Sequence, residues 1–340
     1  MNRPSPTPTR VALVGCGAMG EIVARDVYSA AARAGAVELV AVVDPDDGRA
    51  ADAARHTGAH AYRALTEALA QEKIDAVDIR VPHHLHARIA LEAIDQGQHV
   101  LIEKPIATTV AEAASMVDAA RTAGVVLAVA ENYPHLKAVR DARRLLAEGR
   151  VGRALAIQAT RAYRISGVWV RDGWRESDGP AGGILLDQGT HQVSLIRQLA
   201  GPVDEVSAAL SAGGSLDTVT LTLRLNSGLV AQSVITWHSP GPWDQAEATV
   251  IASGGRLDVV VDYEGQTGGC VTWTPGGTDR VGAENYYDSH RLIVDDWINA
   301  VRRGTQPCVP GAEGLEDLAV VAAAAESLDH DGAFVPVSRR

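Results

Sequence analysis

The sequence predicts an α/β protein in two parts: a doubly wound parallel sheet, then an α/β domain with an antiparallel sheet. Three observations predict this. Over residues 10–130 short apolar runs alternate with helical runs, as in a parallel sheet with helices on both faces. A glycine triplet stands at the first strand-to-helix junction. Beyond about residue 131, alternating apolar and polar runs separated by turn residues take over, which is the mark of an antiparallel sheet.

At 340 residues the chain exceeds one ordinary core. The expected parts are a flexible tail over 1–9, a dinucleotide-type domain over 10–130 and a substrate-binding and oligomerisation domain over 131–340. The C-terminal helices are free to pack back on the first domain. The opening "MNRPSPTPTR" has no apolar core and does not read as a signal peptide. No apolar stretch is long enough to span a bilayer. The net charge of −11, with no basic block, argues against a nucleic-acid partner. Cys16, Cys270 and Cys308 form no C-x-x-C pair, so neither a disulfide framework nor a zinc–thiolate site is expected, and a cytoplasmic setting fits.

The elements follow in order. "VALVG" is a strand and "EIVARDVYSAAARAG" a helix ending at Gly35. "VELVAVVDP" is a β-branched strand, "GRAADAARHTG" a helix and "AYRALTEALAQEKI" a short unit. "DAVDIRVP", "HVLIEKP" and "VVLAVAENY" are strands, separated by the helices "HLHARIALEAIDQG" and "TVAEAASMVDAARTAG". Gly35, Gly97 and Gly124 each stand where a C-cap glycine is expected. The second part begins with the helix "LKAVRDARRLLAEG" and the long strand "GRALAIQATRAYRI". "ILLDQGTHQVSLIRQLAG" is partly helical, five alternating strands follow, and helices near 289–303 and 311–330 close the chain.

Gly15, Gly17 and Gly20 fit G-x-G-x-x-G between a strand and a helix. The first glycine permits the tight turn, the second lets backbone N–H groups approach a pyrophosphate, and the third lets the helix pack close. The turn segment Gly15, Gly17, Ala18, Met19 and Gly20 is therefore the candidate phosphate cradle. Asp44 ends the next strand, where a carboxylate accepts hydrogen bonds from ribose hydroxyls and repels a 2′-phosphate. NAD is thus preferred, and the nearby Arg49 leaves NADP open.

Lys104 ends an apolar strand at the carboxyl edge of the same sheet, where ligands of open α/β sheets bind, and Pro105 stops the ladder. Position alone also allows a solvated lysine, with Glu103 pairing a base or facing water. Asp187 and His191 are four apart and share a face on a helical turn. They read either as a carboxylate-oriented base or as a cap beside a core histidine. His83, His84 and His86 follow Pro82; their neighbours diverge on a helix start, so no metal is expected. His84 or His86 then borders the nicotinamide or caps the helix. The loop 163–175 carries Tyr163, Trp169 and Trp174 with Arg164, Arg171 and Arg175, suited to a sugar ring or to a lid.

In combination the sequence resembles the Gfo/Idh/MocA oxidoreductases, the glucose-fructose oxidoreductase and inositol dehydrogenase family. The resemblance rests on "GCGAMG", "VPHHLHARIALEAIDQGQHVLIEKPIATTVAEAASMVDAARTAGV" and "AGGILLDQGTHQVSLI", in that order. It implies an N-terminal Rossmann domain and a C-terminal α/β domain with a large, mainly antiparallel open sheet. It implies a nicotinamide cofactor with Lys104 beside it; the candidate cofactor-binding residues are the turn, Asp44, Pro82, His83, His86, Glu103 and Lys104. It also implies Lys104, Asp187 and His191 as catalytic and substrate-touching residues; Tyr163, Trp169 and Trp174 of the loop are the further candidates for substrate contact, read from the loop's composition. The chain departs from the family pattern at His83, at Pro134 and His135, and at Ser194.

The chemistry so implied is hydride transfer at a ring carbinol of a sugar, sugar derivative or cyclitol. His191 takes the hydroxyl proton, Asp187 orients it, and Lys104 donates to the reacting oxygen. Two other readings stand beside it: a same-fold hydrolase or lyase that oxidises a glycoside transiently with tightly held NAD, and a non-catalytic dinucleotide sensor. The open sheet face suggests a homodimer or homotetramer.

Overall fold

The computed structural model describes residues 7–29, 35–170, 183–211, 218–240, 246–263, 268–282 and 285–338. The chain forms two compact units, one holding the sequence up to Ala130 and again His290–Gly314, the other Glu131–Ser289 and Leu315–Arg340.

The first unit opens with β1 (Thr9–Val14), α1 (Ala18–Ile22) and a π-helical segment Val23–Tyr28. It continues through β2 (Val37–Val43), α2 (Asp47–Thr57), β3 (His60–Tyr62), α3 (Leu65–Gln71) and β4 (Ala76–Ile79). A 3₁₀ turn His83–Leu85 leads into α4 (His86–Asp95), then β5 (His99–Glu103), α5 (Val110–Ala123) and β6 (Leu127–Ala130). The six strands are parallel in the order β3-β2-β1-β4-β5-β6, the doubly wound arrangement whose strand order reverses beside β1. Local signals set the helix ends. Asp46 accepts from the Gly48 and Arg49 N–H groups at the start of α2, and a Thr109–Glu112 capping box opens α5. Gly124 closes α5 with left-handed backbone, φ 68°.

Several local expectations change, the first of them at the opening helix. The first helix is not α-helical up to Gly35: after five residues it widens into the π segment, and residues 30–34 lie outside the described residues. Tyr28, on that segment, is fully buried, and its hydroxyl donates to Asp78 Oδ2 at 2.7 Å. A wider turn stabilised by tertiary contact leaves no trace in apolar periodicity. The helix Asp288–Arg303 returns to this unit. Its Ile293, Val294, Trp297 and Ile298 join Val11, Leu13, Tyr28 and Leu39 in one core.

The second unit begins after β6 with a 3₁₀ turn Tyr133–His135, α6 (Lys137–Ala147) and β7 (Ala154–Ala162). α7 runs unbroken over Gly183–Ala200, longer than the partly helical segment expected. Next come β8 (Val203–Leu210), β9 (Thr218–Leu225), β10 (Val230–Thr236), β11 (Ala248–Ala252), β12 (Gly255–Val260), β13 (Gly269–Thr274) and β14 (Gly277–Val281). α8 (Asp288–Arg303), α9 (Gly311–Asp329) and β15 (Val335–Pro336) end the chain. The nine-stranded sheet has the order β14-β13-β12-β11-β7-β10-β9-β8-β15 and is antiparallel except where β10 meets β7. β9 and β10 alternate strictly, Val219, Leu221, Ala231 and Ile235 buried and their neighbours exposed or half-buried, so one sheet face is core and the other open. No helix among the described residues is long and apolar enough to cross a membrane.

Candidate active site

Strand register sets out the candidate residues of the first unit. Val14 pairs with Val43 and with Ile79, and Ile79 pairs with Ile102. Asp44, Gly15, Arg80 and Glu103 therefore leave four adjacent strands at one level of the carboxyl edge, and Lys104 follows. Gly15 has φ 94°, and a Cβ there would lie 2.4 Å from the Arg80 carbonyl oxygen. A Cβ on Gly20 would lie 1.9 Å from the Gly15 carbonyl oxygen. Neither position admits a side chain. Gly17 is the N-cap of α1 and supplies no capping side chain, which leaves the first N–H groups at Ala18 and Met19 to another acceptor.

Asp44 is buried and rigidly held. Its Oδ2 accepts the Cys16 N–H at 2.9 Å and its Oδ1 accepts the Asp46 N–H at 2.9 Å. An ionised carboxylate has about four acceptor positions, so capacity remains for ribose hydroxyls. The half-exposed Arg49 places Nε 3.4 Å from Oδ1 and softens the negative field. Burial pushes the Cys16 thiol up to about 12, with Asp44 adding to the rise, so the turn holds a neutral thiol. An uncapped helix start behind a turn that excludes side chains, beside a fixed carboxylate, fits a dinucleotide.

Pro82 caps the 3₁₀ turn and His83 is buried, while His84 is exposed. His86 is fully buried, its Nδ1 2.7 Å from the Pro105 carbonyl and its Nε2 2.9 Å from the Val81 carbonyl. The imidazole thus lies between the carbonyls that follow two strands; desolvation lowers its pKa, and the neutral ring donates its single N–H to one of them. His83 and His86 meet edge to face at 5.6 Å. Among the described residues no group of three or more histidine, cysteine or acidic side chains could hold a metal ion. Lys104 is half-buried, its N–H donates to Glu103 Oε2 at 3.0 Å, and the Lys104–Pro105 peptide is cis.

Beneath this edge lies a buried ionic group, in which Glu103 pairs a base as one of the two sequence alternatives had it, while Asp78 and Arg80 were not singled out. Arg80 donates to Asp78 through Nε (2.6 Å) and Nη2 (3.2 Å), and to Glu103 through Nη1 (2.5 Å). Burial works against the Glu103 anion, but Arg80, then Lys104 and His290, hold its carboxyl below the usual range. Burial pushes Asp78 up against the pull of Arg80.

His290 is buried in the same unit, and desolvation lowers its pKa to about 4 despite Glu103. Above pH 6.5 it is neutral both folded and unfolded. As pH falls from there to about 4, the unfolded chain takes up a proton that the folded chain refuses, so stability falls. The whole window is worth about 3 kcal/mol. Denaturant midpoints measured from pH 7 to 4 should therefore fall less steeply in His290→Gln than in the parent; parallel curves would rule out this source.

In the second unit α7 carries Asp187, 0% exposed, and His191, 4% exposed, one turn apart. The carboxylate on His191 Nδ1 is that of Glu131, 2.9 Å away. Glu131 also accepts the Tyr133 N–H at 3.2 Å, and the Tyr133 ring stands edge-on to the imidazole, 5.7 Å between centroids. A carboxylate on Nδ1 fixes the proton there and leaves Nε2 as the lone-pair nitrogen, the tautomer a general base needs. Sequence reasoning missed Glu131. Its signal was an acid immediately after an apolar strand, the same signal that marked Asp44.

A second buried cation lies nearby on this unit's helix-covered sheet face. Arg161 donates to Gln188 (2.6 Å), Tyr133 (2.8 Å), Glu247 (2.9 Å) and Tyr263. Its guanidinium also sits 5.4 Å from the Tyr163 ring centre. Tyr163 is half-buried and accepts from Trp237 Nε1 at 3.2 Å. Trp169 is half-buried in a 3₁₀ turn, Gly167–Trp169. Trp174, Arg171 and Arg175 lie outside the described residues.

Comparison with known proteins agrees with the fold. Residues 9–131 match the model of an oxidoreductase family with an NAD-binding Rossmann fold, and residues 139–258 match the GFO/IDH/MocA C-terminal domain. A 1,5-anhydro-D-fructose reductase from Ensifer adhaerens is 34% identical over 62% of this chain and 65% of its own length. A levoglucosan dehydrogenase from Pseudarthrobacter phenanthrenivorans is 35% identical over 51% of this chain and 45% of its own length. The chain thus spans less than two thirds of either relative. The crystal structure of the WlbA dehydrogenase from Bordetella pertussis, in complex with NADH and UDP-GlcNAcA, is 27% identical with a TM-score of 0.78, over 97% of this chain and 99% of that one. With both halves matched in order, and the glycine turn and Lys104 standing at one edge of a doubly wound sheet, the chain belongs to the Gfo/Idh/MocA oxidoreductase family.

Proposed function

We propose that this chain is an NAD(P)-dependent oxidoreductase moving hydride between a nicotinamide and a ring carbinol or ketone carbon of a sugar, sugar derivative or cyclitol. The observation that carries the reading is the buried His191–Glu131 pair, an imidazole whose tautomer is fixed for proton transfer. The names of the relatives, a sugar reductase and a sugar dehydrogenase, support the substrate class.

In the oxidative direction His191 Nε2 accepts the hydroxyl proton, and Glu131 stabilises the imidazolium that results. Asp187, one helical turn away, adds negative charge on the same helix. Lys104 donates a hydrogen bond to the reacting oxygen and opposes alkoxide charge. Gly17, Ala18 and Met19 bind the pyrophosphate of the dinucleotide and Asp44 binds its ribose, with Pro82, His83, His86 and Glu103 shaping the nicotinamide end. The bound nicotinamide supplies the hydride acceptor. Tyr163, Trp169 and Trp174 contact the substrate. Val230, Val234, Ile251 and Trp273 are exposed on the second sheet and support self-association into a homodimer or homotetramer.

The test is the whole chain with NAD or NADP and a panel of inositols, hexoses and anhydrohexoses. Reduced-nicotinamide absorbance should rise with at least one of them, and faster with NAD. Sugar conversion without net cofactor reduction would instead mark the transient-oxidation hydrolase or lyase. Dinucleotide binding with no conversion would mark the sensor.

A further inference from the structure

Asp78 and Arg80 put two charges into the central strand region of a parallel sheet, where apolar residues are the rule. The Arg80 side chain is 1% exposed and that of Asp78 is 0% exposed. Replacing such buried ions by hydrophobic residues is often neutral or stabilising, so stability alone does not account for them. Their placement offers an account. The Arg80 N–H donates to the Val14 carbonyl at 2.7 Å, and its own carbonyl oxygen forms the floor against which Gly15 packs. Its side chain reaches the other way, to Glu103 Oε1, while Glu103 Oε2 holds the Lys104 N–H. Behind it Asp78 grips the guanidinium at two nitrogens, and Tyr28, from the π segment after the glycine turn, closes the chain of hydrogen bonds.

We propose that Arg80 is a positioning residue for Lys104: its main chain supports the glycine turn, and its side chain, through Glu103, fixes the backbone from which the Lys104 ammonium projects. The inference rests on the proposed function for its kinetic part only. Neither Arg80 nor Glu103 need touch the reacting atoms. Arg80 acts by holding Lys104 within the narrow range in which a donor at the reacting oxygen is effective, where about one ångström of displacement costs up to a hundredfold.

The test uses the full chain with Arg80→Met and Arg80→Lys. Hydrogen exchange at the Lys104 amide, read by mass spectrometry, should be about tenfold faster or more in Arg80→Met, because Glu103 loses its anchor. In the same variant kcat should fall about tenfold or more, while the sugar KM and the Kd for NADH stay within about threefold. Arg80→Lys should recover part of kcat, since an ammonium can still hold one carboxylate. Should Arg80→Met fail to fold, Glu103→Gln breaks the same link from the other side: an amide that accepts from Arg80 presents its NH₂ to the Lys104 N–H. The same exchange and kcat changes are then expected. Equal exchange at Lys104 in variant and parent overturns the proposal. So does faster exchange with kcat within about twofold, or a loss expressed wholly in NADH binding. If the parent turns over no sugar, the functional reading falls, and the exchange measurement alone decides whether Arg80 holds Lys104.

Discussion

Replacing Lys104 by alanine is expected to lower kcat by about two orders of magnitude or more, the scale of losing an oxyanion donor in a shielded site. The expectation follows from where the residue stands. β5 ends at Glu103, Pro105 cannot continue the ladder, and the Lys104 main chain is held by the Glu103 carboxylate. The side chain therefore leaves a fixed point at the carboxyl edge, two strands along from the glycine turn, where open α/β sheets bind their ligands. An ammonium so placed contributes most when the carbinol oxygen carries alkoxide charge. Its loss should thus fall on kcat and on kcat/KM alike, with the Kd for NADH changed by less than about threefold. Lys104→Met keeps the length of the stem without the charge and should behave like alanine, which separates charge from packing. Turnover within about threefold of the parent in both variants would remove Lys104 from the chemistry.

Lys104 and the glycine turn were legible in the sequence because their signals are local. A strand of alternating or β-branched residues, a glycine where no Cβ fits and a proline that stops a ladder each act within a few residues. So do the capped helices. What escaped was set by tertiary contact. The π segment after α1 follows from Tyr28 reaching Asp78, fifty residues away in sequence. β13 and β14 lie beyond the five strands expected: β13 is buried over its first four residues, and β14 is mostly exposed on a sheet edge, so neither shows alternation to read. β15 is two residues long and contains Pro336, which only an edge tolerates. The helix α8 reads as amphipathic, but nothing local says that Trp297 and Ile298 belong to the core of the first unit. Arg80 illustrates the same limit from the side of charge. In "DAVDIRVP" a charged pair inside an apolar run was visible, yet charge at a strand end reads equally well as solvent-facing until the partner on β5 is known.

The partner of His191 was hidden in the same way, and it carries the second large effect. His191→Ala is expected to lower kcat/KM by about a hundredfold to ten-thousandfold, the range for loss of a general base. Glu131 is sixty residues away in sequence and reaches the imidazole only through the fold. In the proposed mechanism it acts through His191, by fixing the Nδ1 proton and offsetting the charge that forms on the ring. Glu131→Gln keeps the volume and an acceptor oxygen but not the charge, so a smaller loss of about tenfold is expected. The decisive measurement is the double-mutant cycle. Added to His191→Ala, the Glu131→Gln change should cost nothing further, because the group it serves is gone. Asp187→Asn offers the comparison, since Asp187 lies on the same helix and its spacing allowed either an orienting carboxylate or a cap, the orienting role coming with the family resemblance. If the cost of Asp187→Asn vanishes in the His191→Ala background while that of Glu131→Gln persists, the orienting role returns to Asp187. If both costs vanish, the two carboxylates serve one imidazole, and the spacing in the sequence had shown half of the arrangement.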